Sequence, residues 1–295
     1  KEQISEALES VGASLSFMCG KGRVSLSAVC LKKDAPLVLD LLAEQLREPA
    51  FPEENLEMDR KRLLTSLEQK KEEAGTLAFR RLMGILYPKR HPNYIPDLQE
   101  DIASAGRIAA QDIRSFCGNT FGLGSFILSV AGDSEPDRVR ALVEKSFSGF
   151  KKSPLVLPKV EPAGKPERSM TEYITIPEKT STSVRISSLL GITQEHPDYF
   201  PLAVAIHALG GGFSSRLIQT VREERGLTYG IYAGIGGDDS KTDAYWMVSG
   251  TFAPALLAQG IEATMAEIER WAEKGVSAKE VEDANNDNKK GNRKQ

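Results

Sequence analysis

Hydrophobic and polar positions alternate with two different periods at the start of this chain, and each period predicts a different element. In residues 1–12, apolar side chains recur at helical spacing until Gly12 ends the run. Two stretches of period two follow, at 13–19 and 24–30, and they predict a half-buried antiparallel strand pair turned at 20–22. The apolar positions of the two strands are Ala13, Leu15, Phe17 and Cys19, then Val24, Leu26, Ala28 and Cys30.

The first half continues with mainly helical patterns. Asp34 followed by Pro36 predicts the start of a helix. Further predicted elements are helices at 52–71, 76–86, 110–116 and 135–147, and a strand at 125–132. Four prolines between 154 and 166 disfavour both helix and sheet, so we predict an interdomain linker at 151–168 between domains 1–150 and 169–295.

The second half repeats the order of the first: helix, glycine, strand, turn, strand, helix, with Gly226 in the place of Gly12. A duplicated unit predicts an α+β fold of two homologous domains, each an antiparallel sheet with helices packed on one face. The copies extend beyond their common part in opposite directions, so we expect the middle of a longer two-domain protein. The polar stretch 285–295 has little to bury and is predicted to be disordered.

Composition narrows the class of partner but not the compartment. The 295 residues carry a net charge of −3 with a pI near 5.8, which predicts no nucleic-acid partner. No apolar run is long enough to predict a membrane span. Three scattered cysteines do not indicate a disulfide framework or a zinc knuckle, and Cys19 and Cys30 are predicted to be small buried residues. Cytoplasmic and periplasmic locations both stay open.

Residues 209–232, LGGGFSSRLIQTVREERGLTYGIY, are the most informative stretch of the chain. A glycine triplet, Gly210, Gly211 and Gly212, precedes a charged helix, a second glycine and a strand. The triplet either makes a tight turn or lets the backbone approach a ligand. From the residues alone, Arg222 is a solvated helix residue, and Tyr229 is a core tyrosine whose hydroxyl lies at the rim.

This stretch resembles the second-domain signature of the pitrilysin and mitochondrial processing peptidase family, the inverted-motif zinc peptidases. LESVGASLSF, LREPAFPEENLEMDRKRLL and FILSVAGD resemble successive blocks of that family's first domain. The resemblance implies paired domains around a chamber in which extended peptides are cut. It also implies zinc held by an H-x-x-E-H motif and a downstream glutamate.

The metal ligands of the family are missing from this sequence. No H-x-x-E-H is present, and His91, His196 and His207 have no acidic partner at ligand spacing. Ser66 stands where the family has its metal-binding glutamate, and Glu68 faces another side of the helix. Ser16 is nearest to the position of a family asparagine. The resemblance therefore implies a non-catalytic type with no zinc of its own.

The same resemblance assigns a role to the informative stretch. In the family, an arginine and a tyrosine seven positions later grip the substrate near the scissile bond, and Arg222 and Tyr229 meet that spacing. The leading hypothesis is a non-catalytic subunit that helps form the peptide chamber and lends these residues to a catalytic, zinc-binding partner. One alternative is an active zinc endopeptidase whose histidine motif lies upstream of Lys1. Another is a structural protein that has lost proteolysis.

Overall fold

The computed structural model describes residues 2–20, 23–122, 124, 126–150, 160, 163, 168–237 and 242–292, with side chains in the last helix described up to Asp287. The α-helices of these residues are α1 (Glu2–Ser10), α2 (Ala35–Arg47), α3 (Glu53–Lys70), α4 (Ala74–Leu86), α5 (Leu98–Ala105), α6 (Ala110–Thr120), α7 (Pro136–Ser146), α8 (Tyr199–Gly210), α9 (Leu257–Lys274) and α10 (Ala278–Asn292). The strands are β1 (Ser14–Gly20), β2 (Arg23–Val29), β3 (Thr182–Leu189), β4 (Gly230–Gly236) and β5 (Tyr245–Phe252). A π-helix spans Ile218–Glu224, and 3-10 turns lie at Lys32–Asp34 and Pro254–Leu256.

Backbone contacts divide the chain into two compact units. One comprises residues 1–62 with 106–158, and the other 63–105 with 159–295. Helices α4 and α5 therefore belong to the same unit as the second half of the sequence. Most of the predicted linker 151–168 lies outside the described residues, and the domain boundaries at 150 and 169 stay predictions.

The first unit is built on the predicted hairpin. Strands β1 and β2 pair antiparallel with Leu15 opposite Ala28 and Phe17 opposite Leu26. Leu15 and Leu26 pack against a core formed by Leu42, Ala43 and Phe147 of the flanking helices. Burial is less than the pattern predicted, since Phe17 is 47% exposed. The prediction of a buried Cys19 is wrong, because this thiol is exposed, and Cys30 is only partly buried.

The second unit holds a three-stranded antiparallel sheet in the order β3-β5-β4. One face packs on α8, α9 and the π-helix, around Leu209, Val221, Val248 and Phe252. The other face meets α4, where Leu189, Tyr245 and Met247 pack with Met83 and Tyr87. The α+β class with antiparallel sheets is confirmed. The structure adds that this sheet carries helices on both faces, because α4 arrives from the first half of the sequence.

Two predicted elements are wrong. Residues 126–132 are not a strand: they form no ladder with a described strand, and Ile127 is 91% exposed. Residues 285–292, predicted to be disordered, continue α10, because that helix packs on α8 with Ala284 2% exposed at the contact.

Asp34 lies at the start of α2 as predicted, but its side chain makes no capping hydrogen bond. No helix of the described chain combines the length and apolarity that crossing a bilayer requires.

Candidate functional site

A π-helix carries Arg222 and ends at a left-handed glycine. Leu217 and Val221 are fully buried in the main core of the second unit, so their burial fixes the inner side of this helix. At its end, Gly226 has φ +59°, and its N–H donates to Arg222 O at 3.0 Å. The Leu227 N–H donates to Val221 O at 3.0 Å. Both bonds span one residue more than in an ordinary glycine cap, as the wider π-helix requires.

Arg222 lies near two aromatic rings. Its guanidinium carbon is 5.7 Å from the centre of the Tyr229 ring and 6.0 Å from that of Phe213, which are cation–π distances. Its Nη1 is also 3.5 Å from Glu223 Oε1, an ion pair with a half-exposed partner. The Arg222 side chain is 30% exposed. The structure thus brings Arg222 and Tyr229 together, and Arg222 is not a freely solvated helix residue.

Tyr229 points into solvent although its sequence neighbours are buried. It is 91% exposed, whereas Leu227 and Ile231 are 5% and 4% exposed. Thr228 explains the turn, because its hydroxyl donates to Thr251 O and accepts from the Gly230 N–H at 3.2 Å. That anchor fixes the start of β4 and leaves the phenol outside. The alternative of a core tyrosine does not hold in this structure.

Phe213 is the residue of this site that the sequence analysis missed. It follows the glycine triplet and is 78% exposed, an unusual place for a large apolar ring. Gln219 of the π-helix donates to Phe213 O at 2.8 Å and so ties the loop to the helix that carries Arg222. An isolated aromatic residue between glycines and serines was the available signal. Only the fold shows that its ring faces Arg222.

Each glycine of the triplet has a close internal neighbour, which for Gly210 and Gly211 leaves no room for a side chain and for Gly212 is the end of the Asp287 side chain. A Cβ on Gly210 would lie 2.6 Å from Cβ of Ala233 in β4, and one on Gly212 would lie 2.6 Å from Asp287 Oδ2 in α10. A Cβ on Gly211 would overlap the His207 ring. None of the three has a positive φ, so close packing rather than a special turn requires glycine here. Approach of a bound peptide to Gly210, Gly211 and Gly212 stays a prediction.

The described residues do not supply the zinc ligands of the family that this sequence resembles. Ser66 lies exposed on α3, and Glu68 pairs with Lys71 at 2.6 Å. Ser16 on β1 donates to Ser27 O at 3.4 Å across the hairpin. Among the residues with described placement, no three histidine, cysteine or acidic side chains come together as metal ligands would.

The three histidines lie in separate environments. His91 stacks on Tyr87 with 4.4 Å between ring centres, and its Nδ1 accepts from the Asn93 N–H. His196 accepts from the Asp198 N–H at a helix start. His207 lies on α8 against the glycine triplet. These contacts give each ring a place in the packing.

Two family models match the chain. The model described as Insulinase (Peptidase family M16) matches residues 1–94, and the model described as Peptidase M16 inactive domain matches residues 107–287. Among curated relatives, an uncharacterized zinc protease of Streptomyces coelicolor is 25% identical over 237 residues, covering 79% of this chain and 51% of that protein. An uncharacterized zinc protease of Bacillus subtilis is 24% identical, covering 96% and 66%. A non-peptidase homolog of Helicobacter pylori is 23% identical, covering 95% and 63%.

Solved structures agree with the fold. A crystal structure of a peptidase M16 inactive domain from Pseudomonas fluorescens superposes with a TM-score of 0.86 at 26% identity, covering 96% of this chain and 68% of that one. A protease from Helicobacter pylori superposes with a TM-score of 0.75 at 14% identity, covering 98% and 70%. The chain thus spans between half and about two thirds of the length of these curated relatives.

Proposed function

This chain belongs to the M16 peptidase family, with residues 107–287 matching its inactive domain, and from that premise we propose that it acts as a non-catalytic subunit. In this role it helps form a chamber for extended peptides and presents Arg222 and Tyr229 to the active site of a zinc-binding family partner. The single observation that carries the proposal is the exposed Tyr229 ring, whose centre lies 5.7 Å from the guanidinium carbon of Arg222.

The non-catalytic half of the proposal is supported by the exposed Ser66. A neutral hydroxyl is a poor zinc ligand compared with the glutamate that the resembling peptidases carry. The neighbouring carboxylate, Glu68, is bound to Lys71 and lies about 200° further around the helix. Hydrolysis is therefore assigned to a partner that contributes the metal and its activated water.

The second part of the proposal is that Arg222 and Tyr229 form a substrate clamp, a pair of fixed hydrogen-bond donors. A guanidinium and a phenol can both donate to a peptide carbonyl and to the oxyanion that forms when it is attacked. The cation–π contacts with the two rings favour one position of the Arg222 guanidinium, so less order has to be acquired on binding. Removing one preorganised donor of this kind costs about 3 kcal/mol in the transition state, or roughly 10²-fold in rate.

The test is peptidase activity of a complex between this chain and a family member that carries H-x-x-E-H. We expect Arg222→Ala and Tyr229→Phe to lower kcat/KM on an unstructured reporter peptide about 10²-fold while the complex still forms. Phe213→Ala should cause a smaller loss, because it removes one wall around Arg222. Arg225→Ala, at the exposed end of the same helix, is the matched control and should leave activity unchanged. Wild-type activity in both clamp variants would exclude the clamp.

The alternative of an active zinc peptidase is supported by the two bacterial relatives that are named uncharacterized zinc proteases. Elemental analysis of the complete protein, dialysed against a weak chelator, separates the two. The proposed function expects no bound zinc in this chain. About one zinc per chain would mean that another carboxylate replaces Ser66 and that the protein itself is a peptidase.

A further inference from the structure

The second unit contains a cleft on the sheet face that α4 covers only in part. Apolar side chains of α4 pack over the end of the sheet where Leu189 faces Tyr245. Towards the other end, Arg185 of β3 lies opposite Ser249 of β5, and this pair borders an open cleft of about 550 Å³. The remaining lining residues are Glu73, Gly75, Thr76, Phe79, Arg80, Ile95 and Met247.

Arg185 is a desolvated cation that has no acidic partner in the described chain. Its Nη1 donates to Ser183 Oγ and to Val184 O, each at 3.0 Å. Among the described residues no carboxylate lies within ion-pair distance of it, and burial alone lowers the pKa of its guanidinium below the usual value. A partly buried charge that lacks a counter-charge is costly, so an anion bound here gains from pairing with it.

Arg80 shows by contrast what a satisfied arginine looks like in the same cleft. Its Nη1 donates to Asp101 Oδ2 at 2.6 Å and to Pro96 O at 2.7 Å. The one lining carboxylate, Glu73, accepts from Thr76 Oγ1 at 2.7 Å. Of the two lining arginines, Arg185 is therefore the one whose charge is left for a ligand.

Gly75 lies close against the Arg185 guanidinium. A Cβ at position 75 would lie 2.9 Å from Arg185 Nη2, so any side chain there would press on the guanidinium. No described residue accepts a hydrogen bond from the Nε–H or Nη2 hydrogens of Arg185, and a guanidinium presents such donors in the planar fork that matches a carboxylate. The walls beyond the fork are apolar, formed by Phe79, Ile95 and Met247.

We propose that this cleft binds a carboxylate carried on an apolar group. The carboxylate pairs with Arg185 and reaches the Ser249 hydroxyl, and the apolar body contacts Phe79, Ile95 and Met247. Two ligand sources share this chemistry: the C-terminus of a peptide that ends in an apolar residue, and a free small carboxylic acid. The cleft lies wholly within the second unit, so the proposal does not depend on the Arg222 clamp or on a catalytic partner.

Isothermal titration of the chain with three probes tests the site. N-acetyl-leucine offers the carboxylate, N-acetyl-leucinamide is its neutral counterpart, and a blocked tripeptide with a C-terminal leucine represents a peptide end. We expect at least one carboxylate probe to bind, at least tenfold more tightly than the amide. Preference for the tripeptide identifies a peptide end as the source, and preference for N-acetyl-leucine identifies a free acid. Equal binding of acid and amide, or no binding by either acid, overturns the proposal.

Variants locate the binding. Arg185→Gln should weaken the acid at least tenfold and leave the weak amide binding unchanged, whereas Arg185→Lys should retain part of the affinity. Gly75→Ala should weaken the acid by displacing the guanidinium. Arg81→Gln is the matched control. Arg81 lies on α4, as Gly75 does, but it pairs with Glu172 and does not line the cleft. If Arg185→Gln does not fold, Ser249→Ala takes its place. Undiminished acid binding in the folded Arg185 or Ser249 variant contradicts the assignment.

Discussion

The chain contains two versions of one motif, a helix, a left-handed glycine and an antiparallel hairpin. The first runs from α1 to β2 and the second from the π-helix to β5. Gly12 and Gly226 have φ values of +62° and +59°, so both adopt the same left-handed backbone conformation at the end of a helix. In the first copy Gly12 N–H donates to Glu9 O and Ala13 N–H to Leu8 O. The second copy repeats this pair of bonds one residue wider, because its helix is a π-helix.

Burial, unlike the local turn, differs sharply between the copies. The first hairpin stays two-stranded, with most side chains of β1 and β2 exposed. The second gains β3 as a neighbour and is covered by helices on both faces. The similar local sequence pattern gives a similar turn and pairing, but distant segments decide how much of each hairpin is buried. The well-covered copy is also the one that carries Arg222 and Tyr229.

The largest expected difference between the copies is in how much one phenylalanine contributes to the free energy of unfolding. Phe252 of β5 is 2% exposed and Phe17 of β1 is 47% exposed. We expect Phe252→Ala to lower the free energy of unfolding by about 3–5 kcal/mol and Phe17→Ala by less than about 1 kcal/mol. Urea denaturation measures the first by fluorescence, since Trp246 and Trp271 both pack on the second core. Far-UV circular dichroism follows the second, and equal losses would contradict the burial difference.

Ion pairs give the next contrast. In the second unit the Arg216 guanidinium donates to both Glu280 oxygens, and this lowers the pKa of Glu280 to about 2. Both side chains are mostly buried, at 17% and 24% exposure. In the first unit, Lys32 and Asp133 are 3.2 Å apart but 48% and 94% exposed. Screening by water makes such a surface pair weak.

The depressed pKa of Glu280 fixes the sign of the pH dependence. The contribution of Glu280 to stability is complete at pH values above its unfolded-state pKa near 4.5. This contribution is lost as the pH falls through the folded-state pKa of about 2. We expect Glu280→Gln to cost about 2–3 kcal/mol at pH 7 and little at pH 2, measured by urea titration at both values. Glu282→Gln, exposed on the same helix, is the control. Lys32→Gln should not change stability measurably, and a pH-independent effect of Glu280→Gln would refute the linkage.

Sequence predicted the parts of the fold that depend on neighbours in the chain. The pairing of β1 with β2 and the glycine that ends the helix before β4 follow from alternation and from the position of Gly226. The packing of α4 on β3 does not, because its partners are about a hundred residues apart and no local pattern records the contact. The failed strand at 126–132 shows the same limit: its apolar residues favour a strand locally, but no described strand pairs with it.

The candidate site was predictable in part for the same reason. Arg222 and Tyr229 were found through a motif and its spacing, and the structure brings them together. Phe213 and the internal neighbours of the glycine triplet were missed, because His207, Ala233 and Asp287 come from three other elements. The open side of Arg185 was equally hidden, since it depends on Gly75 of α4.

The smallest expected effect concerns the two glycines that the copies share. A Cβ meets nothing within 4 Å at either Gly12 or Gly226, so alanine brings backbone strain and no clash. We expect Gly12→Ala and Gly226→Ala each to cost about 1 kcal/mol, and asparagine, which tolerates this conformation, to cost less. Hydrogen exchange of residues 2–20 and 23–29 reports the first, and tryptophan fluorescence in urea reports the second. A much larger cost at Gly226 would contradict the equivalence of the two glycines. It would mean that the end of the π-helix depends on its glycine more than the end of α1 depends on Gly12. The position of Arg222 would then depend on Gly226 as well.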